Sequence, residues 1–169
     1  MTSAGDGGFA IENSIEIAAD AQSVYALLAT PDRWWSAAHT YSGNAANLSL
    51  EPRAGGCFCE RLPGPAGAMG GVEHARVIFV APNKQLRLSG ALGPLQAEAV
   101  AGTLDIVISP AKTGVRVTMG YVVGGYVRAG MKPIAPLVDK VLREQLEELK
   151  RVAEGRARQR TQPRQPTAG

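Results

Sequence analysis

Apolar and polar residues alternate from Ile11 to Ile17, with Ile11, Ile15 and Ile17 on one side and Glu12, Ser14 and Glu16 on the other. That alternation is the signature of a half-buried strand. Asp20 then suits a helix N-cap, and Val24, Leu27 and Leu28 recur at helical spacing until Pro31 interrupts. A second short helical turn is expected from Pro31 to Ala38, carrying Trp34 and Trp35. Strands follow at Leu48 to Pro52, Cys57 to Leu62, Val72 to Val80, Gln85 to Ser89, Glu98 to Ser109 and Val115 to Val123. Turn signals lie between them at Ala54-Gly55-Gly56, Pro82-Asn83, Gly93-Pro94 and Lys112-Thr113-Gly114. Connections this short make neighbouring strands antiparallel. The last strand presents Val115, Val117, Met119, Tyr121 and Val123 on one face, which must look inward.

From Lys132 to Glu154 the period changes from two to between three and four. Ile134, Leu137, Val138, Val141, Leu142, Leu146, Leu149 and Val152 form one broad apolar helical face, with Pro133 and Pro136 placed in its first turn. A helix of this kind is marginal alone and must lie against the sheet. Gly155 is expected to stop it. Residues 155–169 read as a disordered basic tail, and residues 1–8 as a flexible leader with little to bury. The Gly- and Pro-rich stretch Pro63 to Gly71 reads as a flexible hairpin lid. What remains, residues 9–154, is one α+β domain.

Charge narrows the partners. The formal net charge is +3, but the tail holds Arg156, Arg158, Arg160 and Arg164 and no acid, leaving 14 basic against 15 acidic residues in the first 154. A near-neutral body has no basic stripe for nucleic acid. No run reaches the roughly 18 apolar residues of a membrane span, and Met1 to Gly8 lacks a secretory pattern. The chain reads as cytoplasmic. Its two cysteines, Cys57 and Cys59, point the same way on a strand, where an unstrained disulfide closes with difficulty, so reduced thiols are expected.

Glu60 and His74 are the leading candidates for chemistry. If their strands form a hairpin around Pro63 to Gly71, the two residues fall directly opposite one another, and Phe58, Glu60, Leu62, Val72, His74 and Arg76 share the inward face. A carboxylate beside an imidazole raises the histidine pKa, and the pair serves equally as a rim salt bridge, a ligand anchor or an acid/base couple for enolisation or dehydration. A register slip of one residue would separate them. Cys57 and Cys59 with His74 do not make a metal site, because the same alternation puts the thiols on the opposite face; no metal and no cofactor are expected. Trp34, Trp35, His39, Tyr41 and Tyr121 complete the set of candidate ligand contacts, with Phe58 as a further wall. Nucleophile-elbow, dinucleotide and metalloprotease motifs are absent from the sequence.

The order strand, helical pair, six strands and closing helix resembles the helix-grip superfamily of START, Bet v 1-like and polyketide cyclase domains (SRPBCC), over Ile11 to Glu154. Three stretches, AADAQSVYALLATPDRWW ending at Trp35, EPRAGGCF from Glu51 to Phe58 and VAPNKQLRL from Val80 to Leu88, resemble the branch related to the Hsp90 ATPase activator C-terminal domain. The resemblance implies a curved seven-stranded antiparallel sheet wrapped around the long C-terminal helix, two short helices after the first strand, and a cavity that holds apolar small molecules in many relatives. Three functions follow as expectations: binding of a hydrophobic or aromatic, lipid- or polyketide-like molecule; a cyclase or dehydratase using Glu60 and His74, with Tyr41 or Tyr121 as hydrogen-bond donor; or an Hsp90-activator-like interaction module. A homodimer is left open.

Overall fold

The computed structural model describes residues 3–161. Among these residues eight strands form one antiparallel sheet: β1 (Ser3–Ala4), β2 (Gly8–Ile17), β3 (Leu48–Leu50), β4 (Cys57–Pro63), β5 (Met69–Ala81), β6 (Gln85–Ser89), β7 (Ala99–Pro110) and β8 (Val115–Tyr126). Their spatial order is β1-β2-β8-β7-β6-β5-β4-β3. Helix α1 (Ala21–Leu28) follows β2, and α2 (Met131–Thr161) closes the chain. All seven expected strands are present. The eighth comes from the supposed leader, where Ser3 and Ala4 pair with Ala10 and Phe9; backbone pairing gives this stretch the order that its side chains do not.

Asp20 caps α1 as expected, its carboxylate accepting from the Ser23 N–H at 2.8 Å and the Ser23 hydroxyl at 2.7 Å. The second short helix is instead a pair of 3₁₀ turns, Pro31–Arg33 and Ala37–His39. The hairpin between β4 and β5 is also tighter than a lid. Pro63 pairs with Met69, and a 3₁₀ turn at Pro65–Gly67 closes the connection.

The core lies between the concave face of the sheet and α2. Val117, Met119 and Tyr121 of β8 are fully buried, with Leu104 and Ile106 of β7, Leu86 and Leu88 of β6 and Ile11 and Ile17 of β2 beside them. Against them α2 sets Met131, Ala135, Leu142, Leu146, Leu149 and Ala153. Leu137, expected on this face, is 61% exposed, and the buried stripe runs one helical position away through Ala135, Asp139 and Leu142. Asp139 is accommodated because its carboxylate accepts from Asn13 Nδ2 of β2 and from Arg143 Nη2, both at 3.0 Å. The helix continues through Gly155 to Thr161. A helical glycine costs only about 1 kcal/mol against alanine, and Ala153, Arg156 and Ala157 line a recess shared with Ala19, Ser23 and Leu27 at α1. The rest of the expected tail, residues 162–169, lies outside the described residues. No helix among the described residues is long and apolar enough to cross a membrane.

Candidate functional site

At the β3 end of the sheet, the inner face changes from hydrocarbon to polar groups. Glu60 of β4 and His74 of β5 are 2% and 5% exposed, and His74 Nε2 stands 2.9 Å from Glu60 Oε2. The expected partnership is present, but not by the expected register. Glu60 lies opposite Val72, and Phe58 opposite Ala75. Between them the ladder shifts at Phe58/Cys59, so His74 is the extra residue of a β-bulge, aimed back towards Glu60. The same bulge buries Ala75 and turns Arg76, expected inside, to the exposed outer face.

Glu60 is more constrained than a free acid/base group. Its Oε2 also accepts from the Tyr41 N–H at 3.0 Å, and its Oε1 accepts from the Ser42 N–H at 2.5 Å. Burial pushes the carboxyl pKa up, but the donors from Ser42, Tyr41 and His74 outweigh burial and hold it below its ordinary value. His74 also departs from expectation. Burial lowers its pKa by more than the Glu60 carboxylate raises it, so the net shift is downward. At neutral pH the pair is therefore a carboxylate accepting from the Nε2–H of a neutral imidazole.

Aromatic rings enclose the imidazole. Phe58 has its ring centroid 5.0 Å from that of His74, and Tyr41 lies 5.9 Å away on another side. Trp35 meets Phe58 edge-on at 5.4 Å, and Trp34 meets Trp35 at the same separation. Trp34 is buried and Trp35 half-buried, as the divergence of neighbouring side chains requires.

The segment from Ser36 to Asn44 is a strap across this cluster. The Ser36 N–H donates to Gln145 Oε1 of α2 at 2.9 Å, and His39 Nε2 meets Glu144 Oε2 at 2.6 Å. Trp35 Nε1 donates to the His39 carbonyl at 3.1 Å, and the Tyr41 hydroxyl donates to the Gly93 carbonyl at 2.7 Å. His39 is thus a tether between strap and helix. Two buried donors, Trp34 Nε1 and Gln145 Nε2, have no acceptor among the described residues. Buried donors of this kind are commonly satisfied by water or a ligand.

Tyr121 stands apart from the cluster. Its hydroxyl donates to the Gly90 carbonyl and accepts from the Leu92 N–H, both at 2.9 Å, and burial pushes its pKa up to about 12. Gly102 makes room for it: a Cβ there would stand 2.5 Å from both the tyrosine oxygen and the Gly90 carbonyl. The hydroxyl serves the backbone. On the same concave side, Met119, Leu142, Leu146 and Leu149 are each 2% exposed or less.

Cys57 and Cys59 are also corrected: they form a disulfide, with Cα atoms 5.4 Å apart. That separation is shorter than the roughly 6.7 Å of a regular strand. Glu73, not His74, shares their face, its carboxylate within 4.8 Å of the sulfurs. Gln145 and the strap's N–H donors were missed from sequence. A polar residue one place before Leu146 in the apolar stripe was the available signal for Gln145; backbone donors leave none.

The family described as polyketide cyclase/dehydrase and lipid transport matches the chain over residues 9–154. No curated protein sequence matches it. Among solved structures, an uncharacterised protein from Rhizobium leguminosarum is 19% identical, with a TM-score of 0.63 over 90% of this chain and 97% of its own. The di-domain aromatase/cyclase StfQ of the steffimycin biosynthetic pathway is 17% identical, with a TM-score of 0.62 over 90% of this chain and 52% of its own. BexL, the di-domain aromatase/cyclase of the BE-7585A pathway, is 16% identical, with a TM-score of 0.62 over 94% and 52%. At these identities the likeness concerns the fold.

Proposed function

The chain belongs to the polyketide cyclase/dehydrase and lipid transport family, and from that membership we propose that it binds an apolar or aromatic small molecule between the sheet and α2, beneath the Ser36 to Asn44 strap. The observation that carries this reading is the polar cluster of Glu60, His74 and Gln145 at one end of a largely hydrocarbon interior. A neutral His74 lies against Phe58 and Tyr41, with Trp35 packed on Phe58, and Trp34 Nε1 and Gln145 Nε2 are buried without acceptors among the described residues. Apolar walls with a few placed polar groups are the usual composition of a ligand site. A ligand would enter by displacing the strap, whose links across the cluster and to α2 run through side chains.

In this reading Glu60 orients and His74 contacts. The two strap N–H groups and the imidazole engage both carboxylate oxygens, so Glu60 fixes the ring of His74 and leaves its other nitrogen for the ligand. A second reading, cyclisation or dehydration of a polyketide-like substrate, is favoured by one observation: a histidine kept neutral at physiological pH is competent to take a proton. It assigns the base to His74 and not to Glu60.

Both tryptophans of the chain lie at the strap, so their fluorescence reports on this place alone. Titration with a hydroxyanthraquinone probe should give saturable quenching that His74→Gln weakens. Native mass spectrometry of gently purified protein should show an apolar adduct. Absence of both signals in the unmodified protein would refute binding. A turnover assay with an aromatic polyketide substrate separates the two readings: loss of about 10²-fold in His74→Gln, with Glu60→Gln affected less, supports catalysis.

A further inference from the structure

The outer face of β4 carries chemistry that ligand binding does not use. Cys57 and Cys59 are half-buried there, and their cross-strand partners on β5 are Arg76 and Glu73. Those two side chains pair with one another, Arg76 Nε donating to Glu73 Oε1 at 3.2 Å. The sulfurs therefore have a carboxylate within 4.8 Å and a guanidinium paired to it. The carboxylate opposes thiolate formation and the guanidinium paired to it offsets that charge, while incomplete burial admits small thiols.

The position of the pair matters as much as its reactivity. The residue between the cysteines is Phe58, which points to the inner face and rests against His74. The register shift of β4 on β5 falls at Phe58/Cys59. A covalent link from residue 57 to residue 59 therefore spans the peptide at which the ladder breaks. With the link open, the strand is free to relax towards the regular spacing of about 6.7 Å.

We propose that Cys57 and Cys59 are a reversible dithiol–disulfide site whose state sets the register shift of β4 on β5 and, through Phe58, the seating of His74 against Glu60. The oxidant is a low-molecular-weight disulfide such as glutathione disulfide. One cysteine releases its proton, and its thiolate attacks a glutathione sulfur, breaking the S–S bond and expelling glutathione thiolate, which takes up the proton. The second cysteine, deprotonated in turn, attacks the mixed disulfide at the protein sulfur, forming the Cys57–Cys59 bond and expelling a second glutathione. Two protein thiols are oxidised by two electrons and one glutathione disulfide is reduced to two thiols.

The full chain would be equilibrated in glutathione buffers of stepped composition, trapped with N-ethylmaleimide and weighed intact. A two-electron transition between unlabelled and doubly labelled protein is expected. The imidazole nitrogen resonances of His74, separated from those of His39 with a His39→Asn variant, should differ between the end states. A Cys57→Ser/Cys59→Ser variant should match the reduced form in every buffer. Double labelling even in excess glutathione disulfide would overturn the site. Protection of the reduced cysteines by Zn(II), recognised by its added mass, would overturn it in favour of metal ligation. Identical His74 resonances in both states would overturn the link to the bulge. Neither readout uses a ligand, so the result stands apart from the binding proposal.

Discussion

The β7–β8 ladder and the β4–β5 ladder occupy the same sheet but follow different rules. β7 and β8 run in unbroken register from Ala99 opposite Tyr126 to Pro110 opposite Val115, and their inner face is hydrocarbon apart from the Tyr121 hydroxyl. β4 and β5 shift register at Phe58/Cys59, β5 shifts again against β6 between Val77 and Phe79, and their inner face holds a carboxylate and an imidazole. A regular ladder repeats its side-chain directions every second residue; a bulge spends one residue to re-aim a neighbour. The first ladder supplies stability of a generic kind. The second has the irregularity that brings particular groups together.

The contrast breaks most readily on the regular side. Met119→Ala empties a fully buried position and should cost about 2–5 kcal/mol in urea unfolding; a midpoint that hardly moves would contradict a filled interior. On the irregular side, Glu60→Ala leaves the Tyr41 and Ser42 N–H groups without their acceptor and should cost about 3 kcal/mol. Glu60→Gln, which keeps an acceptor oxygen, should cost less. Smaller still is Tyr121→Phe, at about 1–2 kcal/mol for the loss of a buried hydroxyl from the Gly90 carbonyl and the Leu92 N–H. If it instead abolishes probe quenching while stability is preserved, the tyrosine belongs to the ligand site.

Acidification sharpens the comparison further. His74 is held below its ordinary 6.5 in the folded protein, so below that pH the unfolded chain binds a proton that the folded chain refuses. Its contribution to stability is complete above pH 6.5 and is lost as pH falls through the folded value. Glu60, held below its ordinary 4.5, adds a second loss at lower pH. Urea midpoints measured across this range should fall in two stages, and His74→Gln should remove the first. The smallest effect is expected on the outer face. Arg116→Ala breaks an exposed pair with Glu16 and should leave the midpoint within about 0.5 kcal/mol.

The same division governed how much was legible in sequence. The β8 face, the α1 cap and the seven main strands follow from alternation and turn chemistry, which are local. The partnership of Glu60 with His74 was legible as well, yet the reason given for it was wrong, because a bulge leaves no mark in the alternation of either strand. The burial that lowers the His74 pKa depends on the strap, and the strap's N–H donors are common to every residue type. The disulfide was missed because ideal strand geometry disfavours it. The Hsp90-activator likeness rested on three short stretches; the family that matches over residues 9–154 is the polyketide cyclase one.

The strand order has a further consequence, for the newly made chain. β2, the first long strand, has β8 as its long partner, and the outer-face ion pair between Glu16 and Arg116 bridges a separation of 100 residues. Contacts so distant in sequence are slow to form. Isoleucines 11, 15 and 17 therefore leave the ribosome long before the strand that will cover them has been translated. During that interval they form an unshielded apolar edge of the kind that chaperones recognise and aggregation exploits. The β2–β8 ladder, unbroken in register like β7–β8, thus waits for the last strand of the sheet to be made.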